Sequence, residues 1–167
     1  MISENIFRAY DIRGIYGKDL TVDIAEKIGK AFGSLIGENK EIVIGKDLRS
    51  SGDVLKKSLI DGIISAGIDV IDIGTVPTPL VYFAICNLGT DGGIAITGSH
   101  LTSEWNGMKL CGEKAIQLTY ETGIEKIKQL ILSDSFIQSK KSGAIEKMSV
   151  VDDYVKFVTS SIKIEKP

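Results

Sequence analysis

The stretch "TGSHLTSEWNGMK", residues 97 to 109, holds the only histidine and the only tryptophan of a 167-residue chain, with a serine set between Gly98 and His100. It is poor in aliphatic residues and directly follows the apolar run "GGIAIT", so it reads as a loop at the end of a buried strand. A serine there, with a glycine before it, can lie where backbone N–H groups converge, and such a nest favours an anion. Phosphate is the natural one. Acyl transfer is the poorer reading, because G-x-S-x-G is absent: Thr97 and Leu101 stand where the glycines belong. His100 is the sole imidazole, and a sequence neighbour rarely reaches a serine in the geometry a hydrolase needs.

Other chemistries are poorly supported. No Walker A loop occurs, and no G-x-G-x-x-G follows a strand. Cys86 and Cys111 stand far apart with no C-x-x-C, which suggests neither zinc nor a disulfide and suits small buried thiols in a reducing cytoplasm. A net charge of -2, with one short basic patch at "SKKSG", argues against a sequence-independent grip on nucleic acid. The N-terminus lacks a signal-peptide centre and no run nears the roughly 20 apolar residues of a membrane span, so a soluble, cytoplasmic protein without membrane partners is expected.

The elements that must position the loop follow from periodicity. Helical spacing over 21 to 36 puts Ile24, Ile28, Ala31 and Leu35 on one face behind a Thr21 N-cap, with Gly37 as the stop. "EIVIG" reads as a strand buried on both faces, 53 to 66 as a second helix, and "GIDVIDIG" as a second strand. After the prolines of "TVPTP" come a short helix ending at Gly89 and a third strand, "GGIAIT". "MKLCG" reads as an added edge strand, and 119 to 132 and 151 to 163 as two further amphipathic helices. With 43% hydrophobic residues the chain can bury one sizeable core. The expected fold is α/β, a mixed, mainly parallel sheet covered by helices on both faces, with right-handed crossovers. Residues 1–150 form that domain, and 151–167 a helix and the start of a linker.

In such sheets ligands bind beyond the carboxyl ends of the strands. That rule gathers "GKDLRSSG", "GTVPTP" and the serine loop at one rim, with Lys46, Asp47, Arg49, Ser50, Thr78, Ser99 and His100. Each has a plainer reading: Arg49 as a surface ion pair, Asp47 as a turn residue, Ser50 or Ser51 as an N-cap.

Four segments in order, "FRAYDIRG", "GKDLRSS", "GTVPTP" and "ITGSHLTSEWNGMK", resemble the N-terminal domain of the α-D-phosphohexomutases, the phosphomannomutase and phosphoglucomutase family. The resemblance implies an intramolecular phosphotransferase of carbohydrate metabolism that interconverts hexose 1- and 6-phosphates of mannose or glucose. Ser99 would carry the phosphoryl group and pass it to the phosphosugar through a bisphosphate. Arg13 and Lys109 would supply cations and contact substrate, Lys109 also as acid or base, His100 would act beside the phosphate, and Tyr10 would line the entrance. Magnesium would bind the phosphate on Ser99, with its other ligands outside this chain, and a hexose 1,6-bisphosphate would serve as activator. The partners implied are the phosphosugar and the remaining domains of a parent chain. The family's D-x-D-x-D loop is not found here, so the chain reads as an excised domain or a short paralogue, folded but inactive alone. A non-catalytic interaction or regulatory module retaining the fold is the alternative. Gly98 departs from the family's alanine, a change expected to loosen the backbone, and Leu101-Thr102 departs from Asn-Pro, removing side-chain hydrogen bonds that could hold the loop.

Overall fold

The computed structural model describes residues 2–162; the last residue of the helix expected over 151 to 163, and the expected start of a linker, lie outside them. Six strands form one sheet: β1 (Ile12–Ile15), β2 (Glu41–Lys46), β3 (Asp69–Thr75), β4 (Gly92–Ile96), β5 (Trp105–Gly112) and β6 (Ile145–Lys147). Their order is β1-β5-β4-β2-β3-β6. The four strands from β4 to β6 run parallel, and β5 is antiparallel to both its neighbours. The described residues also form five α-helices: α1 (Val22–Ile36), α2 (Gly52–Ser65), α3 (Thr78–Leu88), α4 (Glu125–Leu132) and α5 (Val151–Ser161).

The central strands alternate between two apolar layers. Ile42, Ile44, Ile94, Ile96 and Met108 pack with Ile28 and Phe32 of α1, Leu59 of α2 and Ile127 of α4. Val43, Ile71 and Ala95 point the other way, against Leu80, Val81 and Ile85 of α3. Both faces of the middle strands are therefore covered, which is why these segments read as continuous apolar runs. Helix α1 starts where its sequence predicts, with the Thr21 hydroxyl accepting from the Ile24 amide at 3.4 Å, and α3 ends at Gly89.

Several expectations need correction. "MKLCG" is not an edge strand. β5 begins earlier, at Trp105, and is enclosed between β4 and β1. The true edges are β1 and β6, four and three residues long, too short to show a period of two. The segment from 119 opens with a π-helical turn, Tyr120–Ile124, before α4. Ser51 makes no side-chain cap on α2; its hydroxyl instead accepts from Asn106 Nδ2 at 2.8 Å. α5 buries none of its residues; its Tyr154 and Phe157 both pack on Phe83, each with ring centroids 5.3 Å apart.

Candidate active site

Strand order decides where the loops go. β4, β2 and β3 are consecutive in the sheet and parallel, so the loops that follow them emerge at the same end. One groove is lined by all three, through Asp47 to Arg49, Thr75 to Pro77, and Leu101 with Ser103. The three loops expected at one rim thus meet, but of the residues gathered there by the sheet rule only Asp47 and Arg49 line the groove; Lys46 is buried, 3.2 Å from Asp53.

The Ser99 side chain is exposed, and its backbone φ is +53°, a left-handed conformation that residues with a Cβ seldom adopt. Three contacts hold it there. The Ser99 amide donates to Thr97 Oγ1 at 2.8 Å. That hydroxyl donates to Asp47 Oδ2 at 2.8 Å. The same carboxylate oxygen accepts from the Gly98 amide at 3.2 Å. The expected backbone nest is consequently not built at these two positions, because both N–H groups are aimed inward at side chains of the fold.

Cationic side chains stand at the serine instead. Arg13 lies on edge strand β1, whose register places it opposite Gly107. Its Nη1 donates to the Gly98 carbonyl at 2.9 Å and its Nη2 to Ser99 Oγ at 3.1 Å. Asp11 fixes that guanidinium from behind, accepting from Nε at 3.0 Å. Lys109 of β5 approaches the same Asp11 carboxylate, Nζ to Oδ2 3.9 Å. Alternation along β1 and β5 explains the grouping. Asp11, Arg13, Gly107 and Lys109 share one face of the sheet, while Ile12 and Met108, one residue out of phase, are buried in the opposite layer.

Arg49 lies on the other flank of the serine loop. Its Nη1 donates to the carbonyls of Thr102 (2.6 Å) and Trp105 (2.9 Å), its Nη2 to those of Leu101 (2.7 Å) and Ser99 (3.3 Å), and its Nε to Asp47 (3.2 Å). Beneath the loop Asn106, fully buried, accepts from the Gly107 amide at 2.8 Å while donating to Ser51.

Of the residues singled out from sequence, Arg13 touches Ser99, and Arg13 and Lys109 meet at Asp11. His100 is exposed and makes no side-chain hydrogen bond among the described residues. Tyr10 is 65% exposed near the start of β1, with its carbonyl accepting from Gln117. Thr78 begins α3 and does not line the groove. Asp11 was missed, although its place two residues before Arg13 is the strand period that would have put both on one face. Among the described residues no group of three or more His, Cys, Asp or Glu could hold a metal ion, and no helix is long and apolar enough to cross a membrane.

Comparison with known proteins follows the same lines. The family model described as phosphoglucomutase/phosphomannomutase, alpha/beta/alpha domain I, matches residues 4–138. A phosphomannomutase of Vibrio cholerae is 40% identical over 160 residues, covering 93% of this chain and 35% of its own length. A Klebsiella pneumoniae sequence named phosphomannomutase is 41% identical over 151 residues, covering 89% of this chain and 96% of its own length. The crystal structure of a phosphoglucomutase/phosphomannomutase family protein from Burkholderia thailandensis superposes with a TM-score of 0.90 at 38% identity, over all of this chain and 38% of that one. The chain therefore spans about a third of the Vibrio relative and of the Burkholderia structure.

Proposed function

Because this chain belongs to the phosphoglucomutase/phosphomannomutase family as its N-terminal α/β domain, we propose that it carries the phosphoryl group of a hexose phosphate mutase on Ser99. The observation that carries this reading is Arg13 Nη2 at 3.1 Å from Ser99 Oγ. When a phosphoryl group leaves the serine, the bond between phosphorus and Oγ breaks and negative charge builds on Oγ. A fixed N–H donor at that atom stabilises the charge as it develops. The accepting sugar hydroxyl forms the new bond to phosphorus and gives up its proton. Lys109, on the same sheet face, is the candidate group to take it, or to neutralise the charge that passes. Transfer of the second phosphate of the bisphosphate back to Ser99 reverses these roles and completes a 1,6 interconversion.

A serine phosphate suits the task of a carrier because phosphate monoesters hydrolyse extremely slowly without a catalyst. His100 is free to turn towards the phosphate, and Tyr10 to the incoming sugar. Mannose or glucose phosphate is the proposed substrate, a hexose 1,6-bisphosphate the activator, and the cytoplasm the setting. Magnesium, when bound to the phosphoserine, would neutralise charge on the phosphoryl oxygens. The described residues offer it little beyond that phosphate, whereas a hard cation takes about six oxygens, so its remaining ligands are expected beyond them. Alone, residues 1 to 167 should hold a phosphoryl group without turning a sugar over, since nothing among the described residues grips the far end of the substrate.

The test uses a hybrid in which this chain replaces the matching third of the Vibrio cholerae relative. After incubation with glucose 1,6-bisphosphate, fragment mass spectra should place phosphate on Ser99. Phosphate on Thr102 or Ser103 with none on Ser99 would overturn the proposal.

A further inference from the structure

Two residues before the serine, a hydroxyl lies buried where the transfer just described has no use for it. Thr97 directly follows β4, is 4% exposed, and donates its backbone amide to the Gly107 carbonyl at 2.9 Å. Its side chain stands between Ser99 and Asp47.

The chemistry of the three groups fixes the direction of the hydrogen bonds. A carboxylate only accepts and a backbone N–H only donates, whereas a hydroxyl has one hydrogen and two lone pairs. Thr97 Oγ1 therefore gives its hydrogen to Asp47 Oδ2 and receives the Ser99 amide, both at 2.8 Å. The Gly98 amide reaches the same carboxylate oxygen directly, at 3.2 Å. Two successive amides are thus tied to Asp47, one through a hydroxyl and one without it. Asp47 is itself anchored. Its amide donates to the Ile96 carbonyl at 2.9 Å, continuing the pairing of β2 with β4, and its Oδ1 accepts from the Arg49 amide at 3.0 Å. The loosening expected at Gly98 is countered by these ties and by Arg13 on its carbonyl.

Ser99 needs such a tether. At φ +53° a side chain crowds the backbone that follows it, so a serine released from its contacts returns to the common region of negative φ and carries Oγ away from Arg13. We infer that Thr97 and Asp47 are positioning residues for Ser99, a relay that holds its backbone left-handed and so keeps Oγ at Arg13. The effect on turnover rests on Ser99 being the phosphoryl carrier. The relay itself is a property of the loop.

The order of the relay gives it a signature. Thr97→Val keeps the shape of the side chain and loses the hydroxyl, so it should free the Ser99 amide and leave that of Gly98 tied. Asp47→Ala should free both. Thr97→Ser, which keeps the hydroxyl, should free neither. Backbone amide exchange, followed by NMR in the chain itself without substrate, reads the two amides separately, and a freed amide is expected to exchange about tenfold faster. Parent-like exchange of Ser99 in Thr97→Val, or the same loss of protection in Thr97→Ser, would overturn the relay. Should Asp47→Ala fail to fold, the two Thr97 variants still decide it.

In the Vibrio hybrid, assayed below the melting range of each variant, Thr97→Val should lower kcat about 10²-fold, the scale of a misplacement of roughly 1 Å. KM should stay unchanged, because the hydroxyl is buried and committed to the fold. Thr97→Ser should restore kcat to near the parent value. Parent kcat in Thr97→Val, or a raised KM at parent kcat, would sink the positioning role. A hybrid inactive even with the parent domain would count against the proposed function and leave the exchange result standing.

Discussion

Arg13 bridges the Gly98 carbonyl and the Ser99 hydroxyl, at 2.9 and 3.1 Å, from a strand that lies 86 residues earlier in the chain. Its partner on the other side is Asp11, so the guanidinium is held in place before any ligand arrives. Removing a preorganised donor from an atom that gains charge costs about 10²-fold in rate. Arg13→Ala in the Vibrio hybrid should therefore slow phosphoryl exchange between Ser99 and glucose 1,6-bisphosphate by about that factor. Exchange at the parent rate would remove Arg13 from the transfer step.

Lys109 and Lys114 separate a site lysine from a bystander. Lys109 projects from β5 beside Asp11, whereas Lys114 is exposed on the turn that follows β5. Alanine at 109 is expected to lower turnover of the hybrid about 10²-fold, and alanine at 114 to leave it near the parent value. Steady-state assays of the two variants decide it, and equal activities would exclude Lys109 from the mechanism.

Asn106 joins the serine loop to the start of α2 through Ser51, entirely out of water. Truncating it leaves the buried Gly107 amide without its acceptor. Asn106→Ala should cost about 1–3 kcal/mol, seen as a fall in Tm of about 2–4 °C for each kcal/mol. An unchanged melting curve would show that the Asn106 link contributes nothing to stability.

The two thiols should differ sharply in reactivity. Cys86, expected to be buried, is exposed on α3, and Cys111 is buried on β5 as expected, where burial pushes its pKa up to about 11. An alkylating reagent near pH 8 is expected to modify Cys86 alone in the folded chain, because the thiolate is the reactive form. The unfolded Cys111 thiol ionises near pH 8.5, so above that pH the unfolded state binds fewer protons than the folded one. Stability should fall as pH rises towards 11, and Cys111→Ala should flatten that slope. Mass spectra showing equal labelling of both cysteines, or a slope unchanged by the substitution, would contradict the burial argument.

The order of helices and strands from 21 to 112 was legible in the sequence because burial leaves a local trace. Strands covered on both faces are written as apolar runs, as at Ile42 to Ile44, and helices as a stripe such as Ile24, Ile28, Ala31 and Leu35. A serine in a polar loop after "GGIAIT" was equally readable, as were four ordered segments of the family. The sequence did not reveal that β1 encloses β5, since four residues on an edge carry too little periodicity to be recognised. Nor did it show that Asp11 stands behind Arg13, or that the amides of Gly98 and Ser99 turn inward to Asp47 and Thr97. Nor did it show that the guanidinium of Arg49, 49 positions away, lies against Gly98. Periodicity tells each residue which layer it joins, and it is a property of neighbours along the chain. Which donor meets which acceptor is set by the register and spacing of strands that meet only in the folded sheet, and that is where the chemistry of this loop is decided.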